Sequence, residues 1–202
     1  MKIIIVNYGM GNIYSVQSAL NFLGFESDYS DDPEKILNAD KIILPGVGSF
    51  RNAMQNIISK GLVEPINEAV QIKRKPILGI CLGMQLLGIS STEDGFTNGL
   101  GLFDGIVERF SDKYELKIPH IGYNEITPPT NSILFNKLDE RSDFYFVHSY
   151  RMMTQITQGI TTCNYGEKFI AAFEQKNVFG TQFHPEKSQT NGLILLKNFL
   201  SI

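Results

Sequence analysis

Along the first half of the chain, compact apolar runs alternate with segments whose apolar residues recur at helical spacing. The run KIIIVN (2–7) has almost no polar interruption and predicts a strand covered on both faces. IYSVQSALNFLG (13–24) predicts a helix that Gly24 stops. FESDYS (25–30) predicts a second strand, and DPEKIL a short helix with Pro33 at its first position. KIILPG (41–46) reads as a third strand. SFRNAMQNIIS (49–59) and LVEPINEAVQIKRK (62–75) read as helices, the second with Pro65 near its start and the basic residues Lys73, Arg74 and Lys75 at its solvated end. PILGI (76–80) is a fourth strand that hands over to a helix through LGMQLLG (82–88). Alternation of this kind predicts a mostly parallel sheet with helices on both faces.

Beyond Gly95 the texture changes. GLGLFDGIVERF (99–110), KIPHIGYNEI (117–126), DFYFVHSYRM (143–152), GITTCNYG (159–166), FIAAFEQ (169–175) and VFGTQFHPE (178–186) are short, rich in β-branched and aromatic residues, and bounded by turn residues. They predict an antiparallel extension of the same sheet, closed by a helix through TNGLILLKNFLSI (190–202). With no repeat, low-complexity tract or linker, the expected organisation is a single α/β domain over residues 1–202.

Composition narrows the function classes. Hydrophobic residues at 43% and charged residues at 19% describe an ordinary globular protein, and a net charge of −3 gives no reason to expect nucleic acid or an anionic membrane as partner. The opening apolar run is too short for a signal peptide, and no run approaches a membrane span. Two cysteines without an export signal suggest reduced thiols and a cytoplasmic location; Cys163 reads as a strand-core residue.

Cys81 is the exception. In Gly79-Ile80-Cys81-Leu82-Gly83 it stands where a strand gives way to a helix, between glycines that permit a sharp turn. Those are the mechanics of a nucleophile elbow with sulfur in place of oxygen, and a helix N-terminus favours negative charge on the sulfur. A thiol nucleophile needs a base. Of the three histidines, His120, His148 and His184, only His184 combines a preceding apolar strand with a carboxylate two positions on. Pro185 biases His184 toward extended backbone, and in an extended chain residues i and i+2 project to one side, so Glu186 can orient the imidazole. LPGVGSF (44–50) ends the third strand; its Gly46 and Gly48 could turn backbone N–H groups toward an external oxygen, or could serve only the strand–helix turn. NYGMGN fails as a dinucleotide loop because the third glycine would fall at Tyr14, and no cysteine–histidine cluster has metal spacing, so neither a cofactor nor a metal is expected.

GICLGMQ with QFHPEKS resembles the class I glutamine amidotransferases. Together with NYGMGN, LPGVGSF, GLGLFDGIVERF, PHIGYNEI and YFVHSY, in order along the chain, it is similar to the HisH-type glutaminase subunits of imidazole glycerol phosphate synthase. The resemblance implies a flavodoxin-like amidotransferase fold and hydrolysis of glutamine to glutamate and ammonia. It implies a heterodimer with a (β/α)8 cyclase of the HisF type, which uses the ammonia to make imidazole glycerol phosphate and AICAR from PRFAR in histidine biosynthesis. Residue by residue, it implies Cys81 as nucleophile, His184 as acid/base and Glu186 as its orienter, with Val47 and Leu82 at the oxyanion position. Gly48, Gln85, Glu93, His148 and Ser149 match the glutamine pocket, the Glu93 carboxylate suiting the substrate ammonium. Asn12, Tyr123, Tyr145 and Lys187 match the partner interface, Tyr123 standing where the family more often has tryptophan. A second reading is a paralogous subunit that supplies ammonia to another synthase, as in amidination of a sugar.

Overall fold

A computed structural model describes residues 1–111, 116–139 and 141–202. Strands β1 (Ile3–Val6), β2 (Asp28–Ser30), β3 (Lys41–Gly46) and β4 (Ile77–Cys81) form the parallel half of the main sheet, with α1 (Ile13–Phe22), α2 (Pro33–Leu37) and α3 (Phe50–Ser59) as crossovers. Sequence punctuation sets the helix starts: Pro33 opens α2 behind Asp32, whose side chain accepts from the Glu34 N–H, and Ser49 accepts from the Asn52 N–H ahead of α3. The predicted helix over 62–75 is α4 (Val63–Asn67) followed by a π-helical turn, Glu68–Ile72.

The main sheet has nine strands in the order β2-β1-β3-β4-β13-β12-β11-β8-β9. Its second half consists of β8 (His120–Thr127), β9 (Asp143–His148), β11 (Ile160–Tyr165), β12 (Glu167–Gln175) and β13 (Val178–Thr181). These strands pair antiparallel with one another, whereas β13 joins β4 in parallel. The expected extension is therefore present, with one departure. The segment 143–152 is not one strand: it breaks at Ser149, and β10 (Tyr150–Met153) leaves for a separate four-stranded sheet. There it pairs with β7 (Ile106–Arg109), which pairs with the two-residue strand β5 (Ser90–Ser91), itself paired with β6 (Thr97–Asn98). Pieces as short as β5 and β6 are held by their neighbours and leave no periodic signal in the sequence.

Alternation along the strands divides the core in two. Ile4, Val6, Ile42 and Leu44 pack with Phe50, Met54 and Ile57 of α3 on one face. Ile3, Ile5, Ile43, Leu78 and Ile80 pack on the other with Val16 and Leu20 of α1 and with Leu195 and Phe199 of α6 (Gln189–Leu200). With both faces buried, β1 and β3 read as unbroken apolar runs. Register then fixes the site: Gly46 lies opposite Cys81, and Thr181 opposite Ile80. Three adjacent parallel strands thus deliver Val47, Cys81 and Gln182 to one sheet edge, where open α/β sheets bind ligands.

Candidate active site

Cys81 has φ 56° and ψ −111°, a left-handed conformation that a side chain other than glycine's adopts only under constraint. The constraint is close packing. A Cβ on Gly83 would come within 1.8 Å of the Leu44 carbonyl oxygen, so the first turn of α5 (Leu82–Leu86) can lie against β3 only if residue 83 is glycine. Gly46 serves the same contact from the other side, since its Cβ would meet Gly83 N at 2.6 Å. This corrects one expectation: Gly46 is a packing glycine held in β3, and only Gly48, with φ +95°, adopts a conformation reserved for glycine in the 46–48 loop. Tyr8 supports that loop from beneath, its buried O–H donating to the Pro45 carbonyl at 2.8 Å. Burial, with the Cys81 charge nearby, pushes the Tyr8 phenol far above its ordinary range.

A cavity of about 360 Å³ opens beside the cysteine. It is lined by Val47, Gly48, Cys81, Leu82, Gln85, Glu93, His148, Ser149 and His184, every residue expected in the nucleophile, oxyanion and glutamine-pocket groups except Glu186. Glu186 stands behind His184, with both side chains almost completely buried. The Nδ1–H of His184 donates to Glu186 Oε1 at 2.8 Å. The pairing holds, but not through an extended chain. Only His184 is extended, and Glu186 reaches back from a 3₁₀ turn over Pro185–Lys187.

Burial by itself lowers the affinity of His184 for a proton. The Cys81 sulfur and the Glu186 carboxylate, by hydrogen bonding and by charge, outweigh it and raise the imidazole to about 10. Apart from the Cys81 sulfur beside it, His184 Nε2 has no hydrogen-bond partner among the described residues, so the nitrogen is open to the cavity chemistry. A sulfur nucleophile beside an imidazole held protonated by a carboxylate can carry out acyl transfer with acid/base assistance.

Glu93 does more than face the cavity. Its Oε2 accepts the Phe50 N–H at 2.8 Å, at the N-terminus of α3. Burial raises its carboxyl above the usual range, with Asp94 adding to the shift and the Phe50 N–H opposing it. His148 lines the cavity with both ring nitrogens already engaged. Its Nδ1–H donates to the Tyr150 carbonyl at 2.8 Å, and its Nε2 lies 3.0 Å from His120 Nδ1. Sequence reasoning passed over His120 and also Gln182, whose buried amide lies between Cys81 and Gln85. Gln182 precedes His184 by two positions in QFHPE, the one signal that could have singled it out.

The four residues expected at a partner interface lie together beside this site. The Tyr123 and Tyr145 rings are 5.5 Å apart, and the Tyr123 O–H donates to the Lys187 carbonyl at 2.7 Å. Lys187 Nζ lies 5.9 Å from the Tyr145 ring centroid. Asn12 Nδ2 donates to Glu186 Oε1 at 3.4 Å, so this cluster touches the carboxylate that holds His184. Among the described residues no group of histidine, cysteine, aspartate and glutamate could hold a metal ion, and no helix is long and apolar enough to cross a membrane.

Residues 4–202 match the glutamine amidotransferase class-I family. The chain is 46% identical over 201 residues to imidazole glycerol phosphate synthase subunit HisH 2 of Pseudomonas aeruginosa, covering 99% of both chains. It is 46% identical over 205 residues to subunit HisH 1 of Parasynechococcus marenigrum, covering 99% of this chain and 97% of the relative. Among solved structures, PurLQS from Thermotoga maritima superposes with a TM-score of 0.75 at 21% identity, over 99% of this chain and 97% of that one. A GMP synthase subunit from Thermoplasma acidophilum gives 0.74 at 17% identity, over 100% and 92%; these two likenesses concern the fold. The chain belongs to the class I glutamine amidotransferases and, within them, to the HisH subunits of imidazole glycerol phosphate synthase.

Proposed function

We propose that this chain hydrolyses L-glutamine to glutamate and ammonia and passes the ammonia to a (β/α)8 cyclase partner of the HisF type. The partner makes imidazole glycerol phosphate and AICAR from PRFAR in histidine biosynthesis. The observation that carries the reading is the meeting of a constrained Cys81, His184 and the buried Glu186 at one edge of the parallel sheet, beside a cavity that holds Gln85 and Glu93. The names of the relatives favour this pathway over amidination of another acceptor.

The Cys81 sulfur attacks the glutamine carboxamide carbon, and the Val47 and Leu82 N–H groups hold the oxyanion. His184 gives its proton to the departing ammonia, leaving a glutamyl thioester. It then takes a proton from water, which attacks the thioester and releases glutamate and free thiol. Glu186 keeps the Nδ1–H of His184 in place and stabilises the imidazolium throughout. Glu93 and the backbone around Ser149 hold the amino-acid end of the substrate. Asn12, Tyr123, Tyr145 and Lys187 form the docking face, and their contact with Glu186 through Asn12 gives a partner access to the catalytic groups. Water protonates free ammonia at neutral pH, which is the physical reason for a closed passage into a partner. One domain, 1–202, carries all of this in the cytoplasm, where the free thiols of Cys81 and Cys163 persist.

The test is glutamate release by the chain alone and with the cyclase, with and without its acceptor. Turnover that rises on adding partner and acceptor supports the proposal. Imidazole glycerol phosphate formed from ammonium salts but never from glutamine overturns it.

A further inference from the structure

Gln182 is completely buried, one residue beyond the Thr181–Ile80 register pair and thus level with Cys81 on the neighbouring strand. Its Nε2 lies 3.9 Å from Cys81 Sγ, within reach of the larger sulfur atom, and its Oε1 accepts from Gln85 Nε2 at 2.9 Å. The second N–H of Gln85 donates to the Tyr150 carbonyl at 3.0 Å. This string has only one polarity. The Tyr150 carbonyl can only accept, so Gln85 must turn its amide nitrogen toward it and toward Gln182. Gln182 must then offer oxygen to Gln85 and nitrogen to the sulfur. The carbonyl oxygen of Gln85, in the cavity wall, is left for an N–H donor of the substrate.

We propose that Gln182 is a positioning residue that links the nucleophile to substrate recognition. Its N–H holds the Cys81 sulfur in the attacking position and stabilises negative charge there, while its carbonyl fixes which face Gln85 presents to the substrate. The reverse orientation would take the N–H away from the sulfur and set it against the Gln85 nitrogen, a repulsive contact in a buried site. The proposal rests on the glutaminase reading, and the experiment separates the two.

The measurement is kcat and KM for glutamine in the complex with the cyclase, together with the rate at which iodoacetamide alkylates Cys81, followed by peptide mass spectrometry with Cys163 as internal reference. Gln182→Glu keeps the acceptor for Gln85 but loses the N–H donor. Its KM stays within about twofold while kcat and alkylation each fall about 10- to 100-fold, the worth of a hydrogen bond to a charged group. Gln182→Met loses both roles, so KM rises about fivefold or more in addition to the fall in kcat. Gln85→Met, at the other end of the string, raises KM and leaves alkylation within about twofold. Unchanged alkylation in Gln182→Glu, or unchanged KM in Gln182→Met, overturns the proposal while leaving the glutaminase reading intact. Absence of glutamate release from the parent complex overturns both.

Discussion

His184 and the His120–His148 pair occupy neighbouring parts of the same fold and have opposite electrostatics. His184 is raised from the ordinary 6.5 to about 10 because Cys81 and Glu186 overcome its burial. His120 and His148 are lowered from 6.5 to about 4 and about 3, in both cases mainly by burial. Among the described residues, no acidic side chain bonds to either of them. His120 is sandwiched between the Tyr165 and Phe146 rings, at 4.0 and 4.9 Å, and its Nε2 accepts from Asn124 Nδ2 at 2.5 Å. Each hydrogen bond in the string Asn124–His120–His148–Tyr150 carbonyl is then satisfied with both imidazoles neutral. Burial without a charged partner suits a structural histidine, and burial against a carboxylate and the Cys81 sulfur suits an acid/base. The neutral pair holds β8 and β9 together beside the Ser149 break, where the cavity needs fixed backbone.

The contrast predicts opposite pH windows for stability. A value raised on folding stabilises the protein fully below the unfolded value of 6.5, and the gain is lost as pH rises through about 10. A histidine lowered on folding is protonated first in the unfolded chain, so its stabilisation is present above 6.5 and is lost as pH falls toward about 4 for His120 and about 3 for His148.

The largest effect expected is that of Cys81→Ala. Glutamine hydrolysis falls on the order of 10⁴-fold or more, while ammonium salts still support the partner's reaction. The same change removes one of the two groups that hold the proton on His184, so its titration, followed by NMR, moves down toward 6.5. A His184 value that stays put would assign the shift to Glu186 alone.

Next in size is Glu186→Gln. It lowers kcat about 10²- to 10⁴-fold because an amide can offer its N–H to Nδ1 and favour the wrong tautomer. The protein stays folded, as checked by a cooperative thermal melt. Turnover equal to that of the parent would erase the distinction between His184 and the neutral pair.

A smaller effect is expected from His120→Gln, which keeps hydrogen-bonding capacity without titrating near neutrality. The melting temperature of the parent drops as pH falls from 6.5 toward 4, and the drop is shallower in the variant. Equal drops would show that His120 is not protonated on unfolding in that range. The smallest effect belongs to Lys35→Ala, which breaks an exposed 2.9 Å pair with Asp28 far from either histidine site. Its denaturant midpoint stays close to that of the parent, because solvent screens an exposed pair, and denaturant titration serves as the baseline for the other three.

What the sequence by itself determined is local. Periodicity marked β1, α1, β3, α3 and β4, because a parallel sheet buried on both faces demands unbroken apolar strands between amphipathic helices. The spacing of Gly79, Cys81 and Gly83, and of His184 and Glu186, made both halves of the candidate site legible, since a sharp turn and an i+2 pairing need only a few adjacent residues. What the tertiary structure decided depends on register between distant segments. The break at Ser149 that sends β10 to a second sheet leaves no mark in DFYFVHSYRM, because both sides of the break are equally strand-like. The role of Tyr8 comes from β1 ending beside β3, and that of Gln182 from β4 and β13 ending side by side. The charge of each histidine was hidden for the same reason. An imidazole's affinity for its proton is set by what the fold packs around it: at His184 the Cys81 sulfur, 103 residues away, acts with Glu186, and at His120 and His148 burial decides.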